Sequence, residues 1–287
     1  MNRNENASQQ KVTARNWSEY FEKNKTQRVP IDWERGVHLE ENFRAAIVAS
    51  LQRFQVGESG EGTHIKKYAA QTGAREYSWA IHLFIAEENY HAQMLTRVLE
   101  SAGAPVLKGH WSDAAFIVIR RFSGLEMELI ILLVAELIAK RYYRVLRDAS
   151  RDANLRAMCT QILRDENAHV AFHCDTLNRA FARYSPAKRA WIRFWWKRFY
   201  RMVCGIVAWE HRGVLRAASV SREQWLAYTA LVFEHAIDFV FECAEPLGDI
   251  QSDSGGLFHH ELALVDQQFE DLRSLAIEPE LPYGWTD

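Results

Sequence analysis

The sequence predicts an all-α protein, a four-helix bundle extended by additional helices on its C-terminal side, and three observations predict it. Apolar residues recur at helical spacing over long segments. Only 6 prolines and 14 glycines interrupt 287 residues, so breaks are few. The tetrad Glu-x-x-His occurs twice inside such segments, as Glu88 with His91 and Glu166 with His169, each in an acid-Glu-Asn-x-His frame.

Residues 1–31 are polar and lack periodicity, which predicts a loose arm closed by Pro30. A first helix is expected over 32–54, where Glu40, Phe43, Ile47, Leu51 and Phe54 repeat on one stripe. The Gly-rich and Glu-rich stretch 57–63 reads as a loop in which Glu58 and Glu61 are solvated. A second helix over 74–101 carries Tyr77, Ile81, Phe84, Glu88, His91, Leu95 and Val98 on one face, and Gly103 and Pro105 end it. Ser112 can cap a third helix over 113–149, whose centre, 129–138, is apolar all round except for Glu136. A fourth helix over 152–184 aligns Cys159, Ile162, Glu166, His169, His173 and Leu177. Ser185 followed by Pro186 opens a fifth, to residue 217. Ser221 with Gln224 forms a capping box for a sixth, over 222–244, followed by Pro246. A short helix over 261–275 and an acidic tail, 276–287, finish the chain. The expected organisation is therefore an arm, a bundle over 32–184, added helices over 185–275 and the tail.

Residues three apart share a helix face, so each tetrad aims a carboxylate and an imidazole at one spot. Two such helices, with one Glu from each of two others, make the ligand set of the ferritin-like di-iron carboxylate bundles. With 25 Glu and 11 His, about one chance match is expected, and Glu61 to His64, among glycines, is discounted as such. The lone carboxylates are read as Glu40, on the apolar stripe of the first helix, and Glu136, whose burial unpaired would be costly. The candidate ligands are thus Glu40, Glu88, His91, Glu136, Glu166 and His169. His173, one turn beyond His169, reads as a supporting or core histidine. Asp165 is expected to accept a hydrogen bond from His91, and Glu87 from His169. Ile81, Phe84, Leu133 and Ile162 are candidates to line an apolar channel. The Glu then Glu-x-x-His order occurs twice, which implies two pseudo-symmetric helix pairs.

A net charge of −2 argues against nucleic-acid binding. Its distribution is uneven: eight basic and no acidic side chains fall within 176–209, whereas 234–287 hold 13 acids and only Arg273. The row Arg189, Arg193, Lys197, Arg201, beside Trp191, Trp195 and Trp196, suggests a landing surface for an acidic carrier protein or a membrane face. The four cysteines lack CxxC spacing and read as reduced core residues. With no apolar leader and no run long enough to span a bilayer, the chain is expected to be cytoplasmic, as a monomer or homodimer.

Part of the sequence resembles the soluble acyl-carrier-protein desaturases. The resemblance lies in Thr72-Gly73-Ala74, Ser78-Trp79-Ala80-Ile81 and Ala86-Glu87-Glu88-Asn89-x-His91, then in Asp165-Glu166-x-x-His169, Glu40-Glu41 and the lone Glu136. It covers roughly residues 36–180 and departs at Ala139, where that family carries a hydroxyl-bearing residue. The resemblance implies two iron ions, dioxygen as co-substrate and a ferredoxin-like electron donor. It assigns Glu40, Glu88 and His91 to one iron and Glu136, Glu166 and His169 to the other, with Glu88 and Glu166 bridging. The implied reaction is desaturation of an acyl chain. The wider superfamily adds hydroxylation, N-oxygenation and aldehyde deformylation, and a ferritin-like iron-oxidising protein is the alternative outside these enzymes.

Overall fold

The computed structural model describes residues 14–109 and 124–242. Among these residues there are nine α-helices and no strand: α1 (Ala14–Asn24), α2 (Glu41–Glu58), α3 (Thr63–Gln71), α4 (Arg75–Ser101), α5 (Gly124–Ala149), α6 (Ala153–Phe181), α7 (Pro186–Glu210), α8 (Arg212–Ala217) and α9 (Arg222–Glu242). Helices α2, α4, α5 and α6 form the bundle, paired as α2 with α4 and α5 with α6, and α4 with α6 closes the centre. Helix α9 packs on α6 and α7, and α8 packs on α2.

Local chemistry sets most boundaries. The Asp152 carboxylate accepts from the Leu155 N–H at 2.8 Å and starts α6. Ser185 does the same for Lys188 ahead of Pro186. At α9, Ser221 and Gln224 exchange bonds of 2.9 and 3.1 Å, the expected capping box. Helix α4 ends where Gly103, at φ +66°, lets the Ala104 N–H return to the Leu99 carbonyl at 2.8 Å.

Three expectations need correction. The arm is not loose: α1 lies within it and buries Trp17 and Phe21 completely, with Phe172 of α6 at ring distances of 5.4 and 5.5 Å. Burial of each such ring contributes about 1.5–3 kcal/mol, enough to dock a short helix. The first bundle helix is displaced, starting at Glu41 and running through Gly57 to Glu58. Residues 32–40 form turns and extended backbone instead. The fifth expected helix is split at His211, whose φ of −101° and ψ of 16° leave the helical region between α7 and α8.

Ser112, the start of the third expected helix (113–123), Cys243, Pro246, the helix over 261–275 and the tail lie outside the described residues. Cys159, Cys174 and Cys204 are buried and free. No helix among the described residues is long and apolar enough to cross a membrane.

Candidate metal centre

Four helices each send carboxylates or imidazoles to one buried place. Glu58 comes from the last turn of α2, Glu88 and His91 from α4, Glu136 from α5, and Glu166 and His169 from α6. Their ligand atoms form two groups, each within 4.8 Å: Glu58, Glu88, His91 and Glu166 in one, Glu88, Glu136, Glu166 and His169 in the other. Glu88 and Glu166 belong to both. Glu166 turns Oε1 toward His91 Nδ1 (3.7 Å) and Oε2 toward His169 Nδ1 (3.6 Å). Glu88 Oε1 stands 3.5 Å from the first ring nitrogen and 3.1 Å from the second. The arrangement suits two carboxylates that bridge.

Glu40 does not join this set. It precedes α2, is exposed, and its carboxylate faces Arg151 at 3.5 Å. Glu58 takes the place expected for it, 18 residues and about 27 Å farther along the helix axis. The apolar stripe is present, but its ligand lies at the opposite end: Phe54 plus one turn is Glu58, 8% exposed. Gly57, Gly60 and Gly62 disguised the helix end as a loop. The glycine that matters is Gly62, at φ +59°, where a Cβ would lie 2.3 Å from Ile85 Cδ1. A side chain there would be strained at this φ and would have to push Ile85 aside, so glycine suits the tight turn over α4 that follows Glu58.

Outside the ligand groups, each imidazole is oriented by a carboxylate of the opposite helix. His91 Nε2 is 3.0 Å from Asp165, and His169 Nε2 is 3.0 Å from Glu87. With the proton on Nε2, each Nδ1 is left to face the centre. Four residues outside the motifs join this network. Asn24, at the end of α1, donates through Nδ2 to both Glu87 and Asp165 at 2.7 Å. Arg28 pairs with Asp165 at 2.8 Å and reaches Glu87 at 3.4 Å. Gln161 donates to both Asp165 oxygens at 2.8 Å, and Tyr143 donates to Glu58 at 2.8 Å. No sequence pattern in the polar N-terminal segment announced Asn24 or Arg28. Tyr143 lies two turns beyond Glu136 on the same face of α5 and could have been suspected only once Glu58 was known.

His173 is fully buried, with Nε2 3.7 Å from Glu136 Oε1 and Phe84 edge-on at 4.9 Å. It stands beside the second group without entering it. Phe84 is also edge-on to His169, at 4.8 Å. Of the expected channel residues, Phe84 alone lines the adjoining cavity; Ile81, Leu133 and Ile162 are sealed in the core. The cavity, about 450 Å³, runs from Glu58 and Glu88 past Phe84, Leu132 and Glu128 to the turn at Gly60 and Glu61. The expected partner surface is differently occupied: Arg193 pairs with Glu234 and Asp238 of α9, Lys197 with Glu234, and Arg189 covers Phe241. Arg201 is half-buried farther along α7.

The electrostatics are those of a metal site without its charge. Burial, then Glu136 and Glu58, pushes the Glu88 carboxyl up to about 8. Burial and Glu136 raise Glu166 as well. Burial would lower His91, but Asp165 and Glu58 outweigh it and lift the ring to about 10. His169 is likewise raised against burial by Glu136 and Glu166. Burial would raise Glu136, yet its contacts with Glu166, His169 and His173 hold it low. His173 is lowered by burial. Groups raised in this way take up protons readily, and metal ions would displace those protons on entry.

Several atoms fit nothing else. Glu88 Oε1, both Glu166 oxygens and Nδ1 of His91 and His169 are buried and make no hydrogen bond. Leaving such atoms unsatisfied costs about 1–3 kcal/mol each, and all of them face the shared centre. Carboxylate oxygens with two imidazoles are a donor set suited to iron. The residues present fit a pair of iron ions.

The helical bundle and this ligand set define a ferritin-like di-iron protein. Residues 62–235 match the family described as p-aminobenzoate N-oxygenase AurF, more than half of the chain, and the chain belongs to that family. It is accordingly a dioxygen-dependent di-iron oxygenase, with two iron ions as cofactor. The match carries the superfamily assignment and not the narrower likeness to acyl-carrier-protein desaturases. No curated protein and no solved structure matches the chain significantly.

Proposed function

We propose that this chain oxygenates the nitrogen of a compact, amine-bearing substrate held in the cavity beside Glu58 and Glu88. The observation that carries this reading is the cavity's lining. Ile65, Phe84, Ile85 and Leu132 supply its apolar surface, whereas Glu61, Thr63, His64 and Glu128 make the remainder polar. Glu61, Thr63 and His64 are exposed at its mouth, whereas Glu88 and Glu128 bring carboxylates to its inner part, where an acyl chain would offer them no donor. An amine on a small flat body offers donors to the carboxylates and a face to Phe84. Membership of a family described as a p-aminobenzoate N-oxygenase supports attack at nitrogen in this chain also.

Bound iron supplies the reduction of dioxygen and the oxidising power for oxygen transfer. The chain's own residues bind and orient. Glu88, a fifth of whose side chain stays accessible, borders the cavity and both ligand groups. Tyr143 holds Glu58 in place, and Phe84 closes the wall over His169 and His173. Electrons would come from a ferredoxin-like donor, because the sequence carries no flavin or nicotinamide fingerprint.

The test is incubation of the iron-loaded, reduced protein with dioxygen and a set of aryl amines, alkyl amines and acyl thioesters, read by mass spectrometry. Oxygen gained at an amine nitrogen is expected. Loss of two hydrogens from an acyl chain would replace this reading with the desaturase-like one, and turnover of neither class would remove both.

A further inference from the structure

Of the large apolar side chains exposed among the described residues, five lie on α7: Trp191, Phe194, Trp195, Met202 and Trp209, each 49–65% exposed. At 100° per residue, Trp191, Trp195, Met202 and Trp209 fall within one narrow stripe, with Phe194 at its edge. The stripe is about 27 Å long. It is cationic as well, because Arg198 lies over the Phe194 ring at 4.5 Å and Lys188 over Tyr184 at 3.2 Å. A face so aromatic and continuous marks an interaction surface.

We propose that this face is the docking site for the chain's own C-terminal segment, residues 257–275. Three features select that occupant. The first is pattern: Phe258, Leu262, Val265, Phe269 and Leu272 repeat at helical spacing, and a helix over 257–275 would also be about 27 Å long. The second is charge. Residues 243–287 hold ten acids and one arginine, and Glu261 and Asp266 flank the apolar stripe as Lys188 flanks its counterpart on α7. The third is position. Helix α9 ends beside the first turns of α7, with Phe241 5.9 Å from the Arg189 guanidinium and 6.4 Å from the Trp196 ring. The intervening stretch 243–256 can reach any point of the face, and the tether supplies a high effective concentration.

A second copy fits less well. A two-fold contact through α7 would bring together two faces that carry cations and, over 176–209, no acid. Anionic lipid would meet the cations but would leave the acidic amphipathic segment without a complement.

The test uses the full chain with a photo-crosslinking phenylalanine analogue in place of Trp195, prepared as a mixture of isotopically light and heavy protein. Adducts within one copy, mapping to 257–275, are expected, and they should fall to background in the Leu262→Glu, Phe269→Glu double variant. Adducts joining light to heavy copies would assign the face to a dimer. An absence of adducts overturns the proposal, and sedimentation of the wild-type chain with phosphatidylglycerol vesicles would then assign the face to a membrane. Hydrogen exchange on the same double variant provides a separate readout: α7 should lose protection while α4 and α6 keep theirs, and unchanged protection of α7 would also count against docking.

Discussion

The two halves of the centre are built to one plan and finished differently. In each, an imidazole turns Nδ1 inward and Nε2 to a carboxylate of the opposite helix, Asp165 for His91 and Glu87 for His169. The half completed by Glu136 is walled by His173 and Phe84 and lies under buried α5. The half completed by Glu58 sits at a helix end, beneath a glycine turn, and borders the cavity. Equal ligation with unequal access implies, on the proposed function, a division of labour: the enclosed Glu136 half retains metal, and the Glu58 half, which borders the cavity, meets substrate.

The largest effects should come from the retaining half. Glu136→Ala and His169→Ala each remove a donor from a place water cannot fill, so iron content after anaerobic loading and desalting should fall by roughly half or more, measured by elemental analysis. Full iron content in both variants would break the comparison at its base. Next in size is the contrast between Glu58→Ala and Glu40→Ala. Losing Glu58 should deplete the exposed position and abolish turnover. Losing Glu40, which faces Arg151 at the surface, should change neither. A reversed result would return the ligand to the start of the helix.

That contrast also shows what the sequence could reveal. The paired tetrads, the unpaired Glu136 and the proton-accepting partners of both histidines were legible, because three- and four-residue spacings and an apolar surround are local signals. Helices α4, α6 and α9 were legible for the same reason, through their stripes and caps. Glu58 was hidden because its helix ends among glycines whose role is set by Ile85, twenty-odd residues away. Asn24 and Arg28 were hidden because nothing local distinguishes a surface asparagine from one that spans two buried carboxylates. The identity of the cavity wall was likewise a tertiary fact, so Leu132 lines it and Leu133, its neighbour, is core.

Smaller effects should come from the orienting carboxylates and from pH. Asp165→Asn keeps the shape but accepts less well from His91, and a loss of about 10–100-fold in iron affinity is expected by competition with a chelator. Burial with Glu136 and Glu58 pushes Glu88 up to about 8, and Asp165 with Glu58, against burial, pushes His91 up to about 10, so protons should leave as iron enters. Apparent affinity should therefore rise as pH approaches about 8, and calorimetry in buffers of different ionisation enthalpy should detect proton release. Affinity that is flat with pH would mean the cluster is already deprotonated.

The smallest loss expected at the centre itself is at Tyr143→Phe, which deletes a single hydrogen bond to Glu58 and leaves the ring in place. One such bond to a charged group contributes about 1.5–3 kcal/mol where the acceptor is otherwise buried. Here the acceptor borders the cavity, and water can replace the phenol in part, so the loss should fall at or below the lower end. Iron affinity at the exposed position should drop by roughly tenfold or less, with the enclosed position unchanged, as resolved by two-step chelator titration. A loss as large as that of Asp165→Asn would mean that Glu58 is as tightly enclosed as Glu136. In that case the division between a retaining half and a reacting half would have no structural basis.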